Sequence, residues 1–138
     1  VVFLQNSPIT WFSKKQSSVE TSTFGSEFMA MKTATEYIWG LRYKLQMMGI
    51  PIIGPCLIYG DNNAVVTNST LPDSVLKKKS NSIAYNFVRE GAARDEWRCR
   101  YIPTDENLGD LCTKLLTYSD KRIRFCQRLL TLQGELLD

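Results

Sequence analysis

The chain has 138 residues, of which 43% are hydrophobic and 22% charged, a composition typical of a globular domain large enough to bury a core. No apolar run approaches the roughly 20 residues that a membrane helix needs, and the N-terminal residues lack the pattern of a signal peptide. The formal net charge is +3 and histidine is absent, which excludes imidazole bases, Ser/His/Asp and Cys/His triads, and histidine-rich zinc sites.

The first half of the chain predicts two strands, a long helix and a third strand. β-Branched and aromatic runs at residues 1–5 and 9–13, separated by the turn signal Asn6-Ser7-Pro8, predict an antiparallel hairpin. Apolar residues at spacings of three and four predict an amphipathic helix over residues 24–48. A short apolar run at residues 56–59 predicts a buried strand, and residues 62–69 after it are expected to form a short helix.

The second half predicts helices around one more strand. The apolar pattern favours helices from about residue 76 to 94, over 108–116 and over 119–136, and a strand over 97–102. This order of elements predicts a mixed α/β fold in which helices flank a mixed sheet, within a single domain spanning residues 1–138. The tryptophans on predicted strands, Trp11 and Trp97, are expected to pack in the core.

Cysteines and lysines narrow the possible chemistry. The four cysteines are widely spaced, without metal-ligand spacing, and are expected to be reduced thiols. Because the chain contains no histidine, hydrolytic chemistry would rest on carboxylates, lysines or bound metal. Clusters of lysine at Lys14-Lys15 and Lys77–Lys79 are compatible with a polyanionic partner, or with ordinary solvated surface charge.

Three acidic residues are the candidates for catalysis. Glu27 lies near the start of the long predicted helix, Asp61 just beyond the third predicted strand, and Asp110 at the start of a later helix. Each has a structural explanation, because acidic residues are favoured near helix N-termini and Asp is common in turns. If the three carboxylates converge, their repulsion requires bound cations. Ligands that are all oxygen favour Mg²⁺ or Mn²⁺ over zinc.

A series of short motifs in fixed order resembles a known family. The motifs are Trp11-Phe12-Ser13-Lys14-Lys15-Gln16, the stretch from Ser17 through Glu27, Asp61-Asn62-Asn63-Ala64, Leu76-Lys77-Lys78-Lys79, and Asn107-Leu108-Gly109-Asp110-Leu111-Cys112-Thr113-Lys114-Leu115. In this order, residues 1–116 resemble the ribonuclease H domain of copia-type (Pseudoviridae-like) retrotransposon Pol polyproteins. Residues 117–138, expected to form a C-terminal helix, match loosely.

The resemblance implies a ribonuclease H-like fold with an acidic tetrad. Glu27, Asp61 and Asp110 match three of its members, as catalytic residues and metal ligands. The family's first aspartate lies on a strand before Val1, so we expect the first strand to be missing and the fragment to be inactive or weak. In the intact family site two Mg²⁺ ions, with Mn²⁺ as a possible substitute, bridge the carboxylates and the scissile phosphate.

The resemblance also implies a substrate and a setting. The substrate is the RNA strand of an RNA–DNA hybrid, and the expected contacts to it are Lys14, Lys15, Gln16, Asn62, Asn63, Lys77, Lys78 and Lys79. The implied partners are the reverse transcriptase and integrase parts of the same polyprotein. The implied location is a cytoplasmic virus-like particle, with no membrane association.

Three other interpretations remain open. The chain is alternatively a catalytically dead ribonuclease H-like module that binds nucleic acid or braces a reverse transcriptase. A transposase or integrase core of the same superfamily is disfavoured by Thr113-Lys114-Leu115 after Asp110. An enzyme unrelated to nucleic acids is the remaining alternative.

Overall fold

A computed structural model describes residues 1–16, 22–71, 82–117 and 120–130. The elements in chain order are β1 (Val2–Leu4), β2 (Ser7–Thr10), α1 (Thr23–Met47), β3 (Cys56–Gly60), α2 (Asn63–Thr70), α3 (Ser82–Ala93), β4 (Trp97–Tyr101), α4 (Asp110–Thr113) and α5 (Asp120–Leu130). The mixed α/β class is therefore confirmed. None of the described helices combines the length and the apolar composition that crossing a membrane requires.

The chain forms two compact units. The first unit contains Val1–Gln16 and Pro103–Asp138, and the second contains Ser17–Ile102. Each unit contributes one two-stranded sheet, antiparallel β1–β2 in the first and parallel β3–β4 in the second. The single domain, the continuous mixed sheet and the ribonuclease H-like fold stay predictions.

In the first unit, the predicted hairpin is present but its turn lies earlier than expected. Gln5 adopts a left-handed φ of 54°, so the chain reverses at Gln5 and Asn6. Pro8 consequently lies in β2, opposite Phe3. In a two-stranded sheet every strand is an edge strand, and such a strand tolerates the missing N–H of proline. The prediction of a turn at Asn6-Ser7-Pro8 was wrong.

One helix of the first unit, α4, is shorter than its apolar pattern predicted. α4 makes a single turn, against a prediction of 108–116, and Leu115 beyond it is 95% exposed. α5 begins at Asp120 and buries Phe125. Residues 131–138 of the predicted last helix lie outside the described part of the chain.

The second unit is built on the parallel pair β3–β4. Cys56 lies opposite Trp97 and Gly60 opposite Tyr101, in continuous register. Helices α1, α2 and α3 pack against this pair through a core of apolar side chains: Phe28, Met31, Ile38, Ile58, Val65, Val66, Ala84, Tyr85, Val88, Trp97 and Cys99. Burial raises the pKa of the Cys99 thiol, although its hydrogen bond with Ser69 acts in the opposite direction. All four cysteines are free thiols, as predicted.

The boundaries of the long helices follow capping chemistry. The Ser22 hydroxyl accepts a hydrogen bond from the Gly25 N–H at 3.2 Å and starts α1. Oδ1 of Asn62 accepts from the N–H groups of Ala64 and Val65 at 3.0 and 3.3 Å and starts α2. The predicted boundaries of both helices agree with these caps to within a residue.

Trp97 anchors α3 to β4. It is 1% exposed, and its Nε1–H donates to the Val88 carbonyl at 2.9 Å. Its ring approaches Gly91 so closely that a Cβ at that position would overlap the six-membered ring. The prediction that this tryptophan packs in the core is confirmed, whereas Trp11 lies beyond β2 and is 65% exposed.

Candidate functional site

Asp61 directly follows the carboxyl end of β3, where ligands of open α/β sheets commonly bind. The residue that caps α2 is its neighbour Asn62, so capping does not explain Asp61. No hydrogen bond or ion pair joins the Asp61 carboxylate to another side chain in the described ranges. Neither a helix cap nor a side-chain contact within the described ranges therefore explains why an aspartate stands at position 61.

Helix α1 runs antiparallel to β3, as two contacts establish. Nη1 of Arg42, near the end of α1, donates to the Gly54 carbonyl before β3 at 3.0 Å. A Cβ at Gly60, at the other end of β3, would lie 3.4 Å from Cε of Met31. The N-terminal part of α1 therefore lies at the carboxyl end of the strand.

Glu27 precedes Met31 by four residues and so shares its face of the helix, one turn of about 5.4 Å closer to the N-terminus. Since Met31 is level with Gly60, Glu27 lies at the same end of the unit as Asp61. The expectation that Glu27, Asp61 and Asp110 converge in one site stays a prediction.

Glu27 contains a buried polar atom that has no hydrogen-bond partner in the described part of the chain. Its Oε2 is shielded from solvent and, among the described residues, accepts no hydrogen bond. Burying an unpartnered carboxylate oxygen destabilises a fold by about 1–3 kcal/mol or more. The helix dipole does not account for this residue either, because Glu27 lies beyond the first turn of α1, where the favourable interaction fades.

Asp110, in the first unit, has a different environment. It is 2% exposed, with Oδ1 at 2.9 Å from Nζ of Lys114 and Oδ2 at 2.8 Å from Nζ of Lys121. Burial by itself raises the pKa of this carboxyl, but the hydrogen bonds and positive charges of Lys121 and Lys114 outweigh it. The pKa therefore lies below its ordinary value. Asp110 is an ionised carboxylate held by two cations.

The three candidate ligands thus differ in how well they fit a divalent ion. Oε2 of Glu27 and the Asp61 carboxylate have no partner among the described residues, and both have the chemistry of Mg²⁺ ligands. Asp110 does not fit in this arrangement, because both of its oxygens are already occupied by ammonium groups. Within the described residues of either unit, no three acidic or thiol side chains form a metal-binding group by themselves.

Only some of the residues predicted to contact nucleic acid lie in the described part of the chain. Lys14, Lys15 and Gln16 lie in an exposed segment without helix or strand, and Asn63 is exposed at the start of α2. Asn62 uses its carbonyl oxygen as a helix cap. Lys77, Lys78 and Lys79 lie outside the described residues.

Sequence reasoning missed Lys114 and Lys121 as partners of Asp110. The contact of Lys114 could have been predicted from the sequence, because a side chain four positions after an aspartate in a helix is within reach of its carboxylate. Lys121 belongs to another helix, α5, and no spacing rule connects it with Asp110.

Comparisons with known proteins place the chain among retroelement sequences. Over 118 residues, 85% of its length, it is 30% identical to the retrovirus-related Pol polyprotein from transposon RE1 of Arabidopsis thaliana. The chain is similar to part of a Pol polyprotein. The corresponding polyprotein from transposon RE2 of the same plant is 27% identical over 117 residues, and that from transposon TNT 1-94 of Nicotiana tabacum is 28% identical over 122 residues.

These Pol polyproteins are far longer than the chain, which spans only 8–9% of their length. No protein-family model matches the chain, and neither does any solved structure. The retrotransposon part of the predicted resemblance is confirmed. Its assignment to the ribonuclease H segment stays a prediction.

Proposed function

We propose that this chain is the ribonuclease H region of a copia-type retrotransposon Pol polyprotein and acts on the RNA strand of RNA–DNA hybrids during reverse transcription. The observation that carries the proposal is the pair Glu27 and Asp61. Asp61 directly follows β3 and Glu27 lies at the same end of the unit, and among the described residues neither is explained by capping, pairing or the helix dipole. Similarity to Pol polyproteins supports a role in this setting.

In this proposal Glu27 and Asp61 hold a divalent ion, Mg²⁺ or Mn²⁺, on carboxylate oxygens. Such an ion, when bound, polarises the phosphate and lowers the pKa of a bound water. The residues of the chain orient the ion and neutralise its charge. They need supply no imidazole, and the sequence contains none.

Lys14, Lys15 and Lys77–Lys79 are proposed to contact phosphates, with Gln16, Asn62 and Asn63 at sugar edges. A duplex of this kind is recognised by shape, phosphates and 2′-hydroxyls rather than by base sequence. Binding of the hybrid should weaken steeply as salt rises, since each lysine–phosphate contact releases counterions. Affinity that does not change with ionic strength would contradict this part of the proposal.

The decisive assay uses a uniformly labelled RNA–DNA hybrid with Mg²⁺, and both this chain and a longer Pol segment that contains it. We expect the longer segment to cut the RNA strand, and Glu27→Gln or Asp61→Asn within it to reduce the rate by about a hundredfold or more. Glu36→Gln is the matched control, because Glu36 lies on α1 and forms a surface ion pair with Lys32. Equal rates for Glu27→Gln and Glu36→Gln would refute the proposal.

A second function is favoured by one observation. Both oxygens of Asp110 are held by lysines, which fits a non-catalytic module that binds nucleic acid or braces a reverse transcriptase. If the longer segment binds the hybrid with a strong dependence on salt but leaves the RNA intact with Mg²⁺ and with Mn²⁺, this second function replaces the first.

A further inference from the structure

The two faces of the parallel pair β3–β4 differ in character. One face carries Ile58 and Cys99 into the core of the second unit. Successive side chains of a strand point to opposite faces, so the intervening residues form the other face. This outer face consists of Leu57, Tyr59, Arg98 and Arg100, all of them exposed. Parallel sheets are normally covered on both faces, and exposed apolar and aromatic side chains on one of them indicate a binding surface.

The register of the sheet gives the outer face a regular arrangement. Leu57 lies opposite Arg98, and Tyr59 lies opposite Arg100. Paired strands are about 4.8 Å apart, and neighbouring side chains on one face of a strand are about 7 Å apart. An apolar and aromatic row on β3 therefore lies beside a row of two guanidinium groups on β4.

The polar and aromatic groups of the outer face are available to a ligand. Arg100 makes no hydrogen bond or ion pair with another residue of the described ranges. Nε of Arg98 donates to Oδ1 of Asp95 at 2.9 Å, but both side chains are more than half exposed, and such a surface pair contributes little. None of the cation–π contacts in the described part of the chain involves the ring of Tyr59.

An aromatic ring beside guanidinium groups suits an unpaired nucleic-acid strand. A free base stacks on an aromatic side chain, and the planar guanidinium of arginine binds phosphate. Bases within a duplex are already stacked on one another and cannot be recognised in this way. An apolar protein segment fits less well, because it would bury two charged guanidinium groups.

The position of Tyr59 connects this surface to the candidate site. Tyr59 precedes Asp61 by two residues, a distance of about 7 Å along an extended chain. In the proposed function, the nucleic-acid strand at Asp61 is the RNA. An unpaired RNA segment that leaves the hybrid there is therefore the strand that reaches the outer face.

We propose that the outer face binds unpaired RNA that continues from the hybrid beyond Glu27 and Asp61, with Tyr59 stacked on a base and Arg98 and Arg100 on phosphates. The inference rests on the proposed function in that the RNA strand is taken to lie at Asp61. It goes further by assigning a second surface, distinct from the lysine clusters, that recognises the unpaired part of the substrate.

Fluorescence anisotropy of the full chain in EDTA tests the inference, since cleavage cannot occur without metal. The probes are a blunt RNA–DNA hybrid and the same hybrid with about six unpaired nucleotides added to one end of one strand. We expect an RNA extension at one end to tighten binding by about tenfold, the size of one base–aromatic stack. An extension at the other end of the RNA, or on the DNA strand, should give no such gain, because the RNA leaves the site in a fixed direction.

Substitutions locate the gain on the outer face. Tyr59→Leu should abolish it, whereas Tyr59→Phe, which keeps the ring, should retain it. Tyr43→Leu is the matched control, because Tyr43 is exposed to a similar extent but lies on α1. Arg100→Gln should reduce the gain by about threefold, the size of an exposed ion pair. Its control is Arg94→Gln, which removes an exposed arginine of the same unit that pairs with Glu90.

Four results would overturn the inference. They are equal affinity for the blunt and the RNA-extended hybrids, an equal gain from a DNA extension, an equal gain in Tyr59→Leu and Tyr43→Leu, and a gain that is absent from the longer Pol segment. The last result would show that another part of the polypeptide covers the outer face. If Tyr59→Leu does not fold, as judged by circular dichroism, the comparison of Arg100→Gln with Arg94→Gln decides.

These outcomes are separate from those of the cleavage assay. Cleavage by the longer segment without any gain from the RNA extension would refute the role of the outer face and leave the proposed function standing. A gain that depends on Tyr59, in a longer segment that leaves the RNA intact, would refute the proposed nuclease and leave the outer face as a surface that binds RNA.

Discussion

Replacing Gly91 by alanine should destabilise the second unit, although alanine is the better helix former. A Cβ at residue 91 would overlap ring atoms of Trp97, including Cε2 at 2.5 Å, and Trp97 is 1% exposed. The ring must move, or α3 must shift away from β4. Either movement strains the hydrogen bond from Nε1 to the Val88 carbonyl.

The magnitude follows from three effects. Overpacking a core costs about 1–3 kcal/mol. A weakened buried hydrogen bond costs about 1 kcal/mol more. The higher helix propensity of alanine offsets about 1 kcal/mol. We therefore expect a net loss of about 2 kcal/mol in the free energy of unfolding, with the overpacking term deciding the sign.

Gly40→Ala is the matched control. Gly40 also lies within a helix, α1, and a Cβ there would meet nothing within 4 Å. This variant should gain up to about 1 kcal/mol from helix propensity alone. Urea unfolding followed by far-ultraviolet circular dichroism measures both variants. If Gly91→Ala proves as stable as Gly40→Ala, the close packing of α3 on Trp97 is refuted.

Three further predictions concern caps, hydrogen bonds and charge. Asn62→Ala should lower stability by about 1 kcal/mol in urea unfolding, because α2 loses its N-cap, whereas Asn62→Asp should keep it. Trp97→Phe should cost about 1–3 kcal/mol, because the Val88 carbonyl loses its buried donor, and a midpoint equal to that of the wild type would argue against that bond. Asp110→Asn should lower the melting temperature near neutral pH. Since the folded-state pKa of Asp110 is depressed, the stability it contributes is present above its ordinary value of 3.8 and is lost as the pH falls through the folded-state pKa. The melting difference between wild type and Asp110→Asn should accordingly shrink in acid, and a gap that stays constant down to pH values well below 3.8 would contradict the lysine contacts.

The sequence predicted local structure well where one strong signal acts. Asn62 before an apolar stretch starts α2, and Phe28, Met31 and Ile38, which are three and seven residues apart, lie on the buried face of α1. The same spacing continues to Met48, yet Met48 is 73% exposed. Periodicity predicts which face of a helix is apolar but not how far the neighbouring elements cover it, so the exposure of the C-terminal part of α1 could not be predicted.

Features that depend on tertiary contacts could not be predicted. The early turn of the hairpin depends on the left-handed conformation of Gln5, a residue with no preference for it, and the signal at Pro8 pointed elsewhere. The environment of Asp110 depends on Lys121, eleven residues away on another helix. The candidate ligands Glu27 and Asp61 were found by motif, whereas the unpartnered oxygen of Glu27 emerges only from three-dimensional packing.

The cap at α2 limits what Asn62 can recognise. Its amide oxygen is engaged by two backbone N–H groups, so the side chain can offer a ligand only the hydrogens of its amide nitrogen. Asn62 would therefore select acceptors, such as a ribose oxygen or a pyrimidine carbonyl, and ignore donors. An aspartate in its place would keep the helix but present a negative charge without hydrogens, which would separate folding from recognition at a single position.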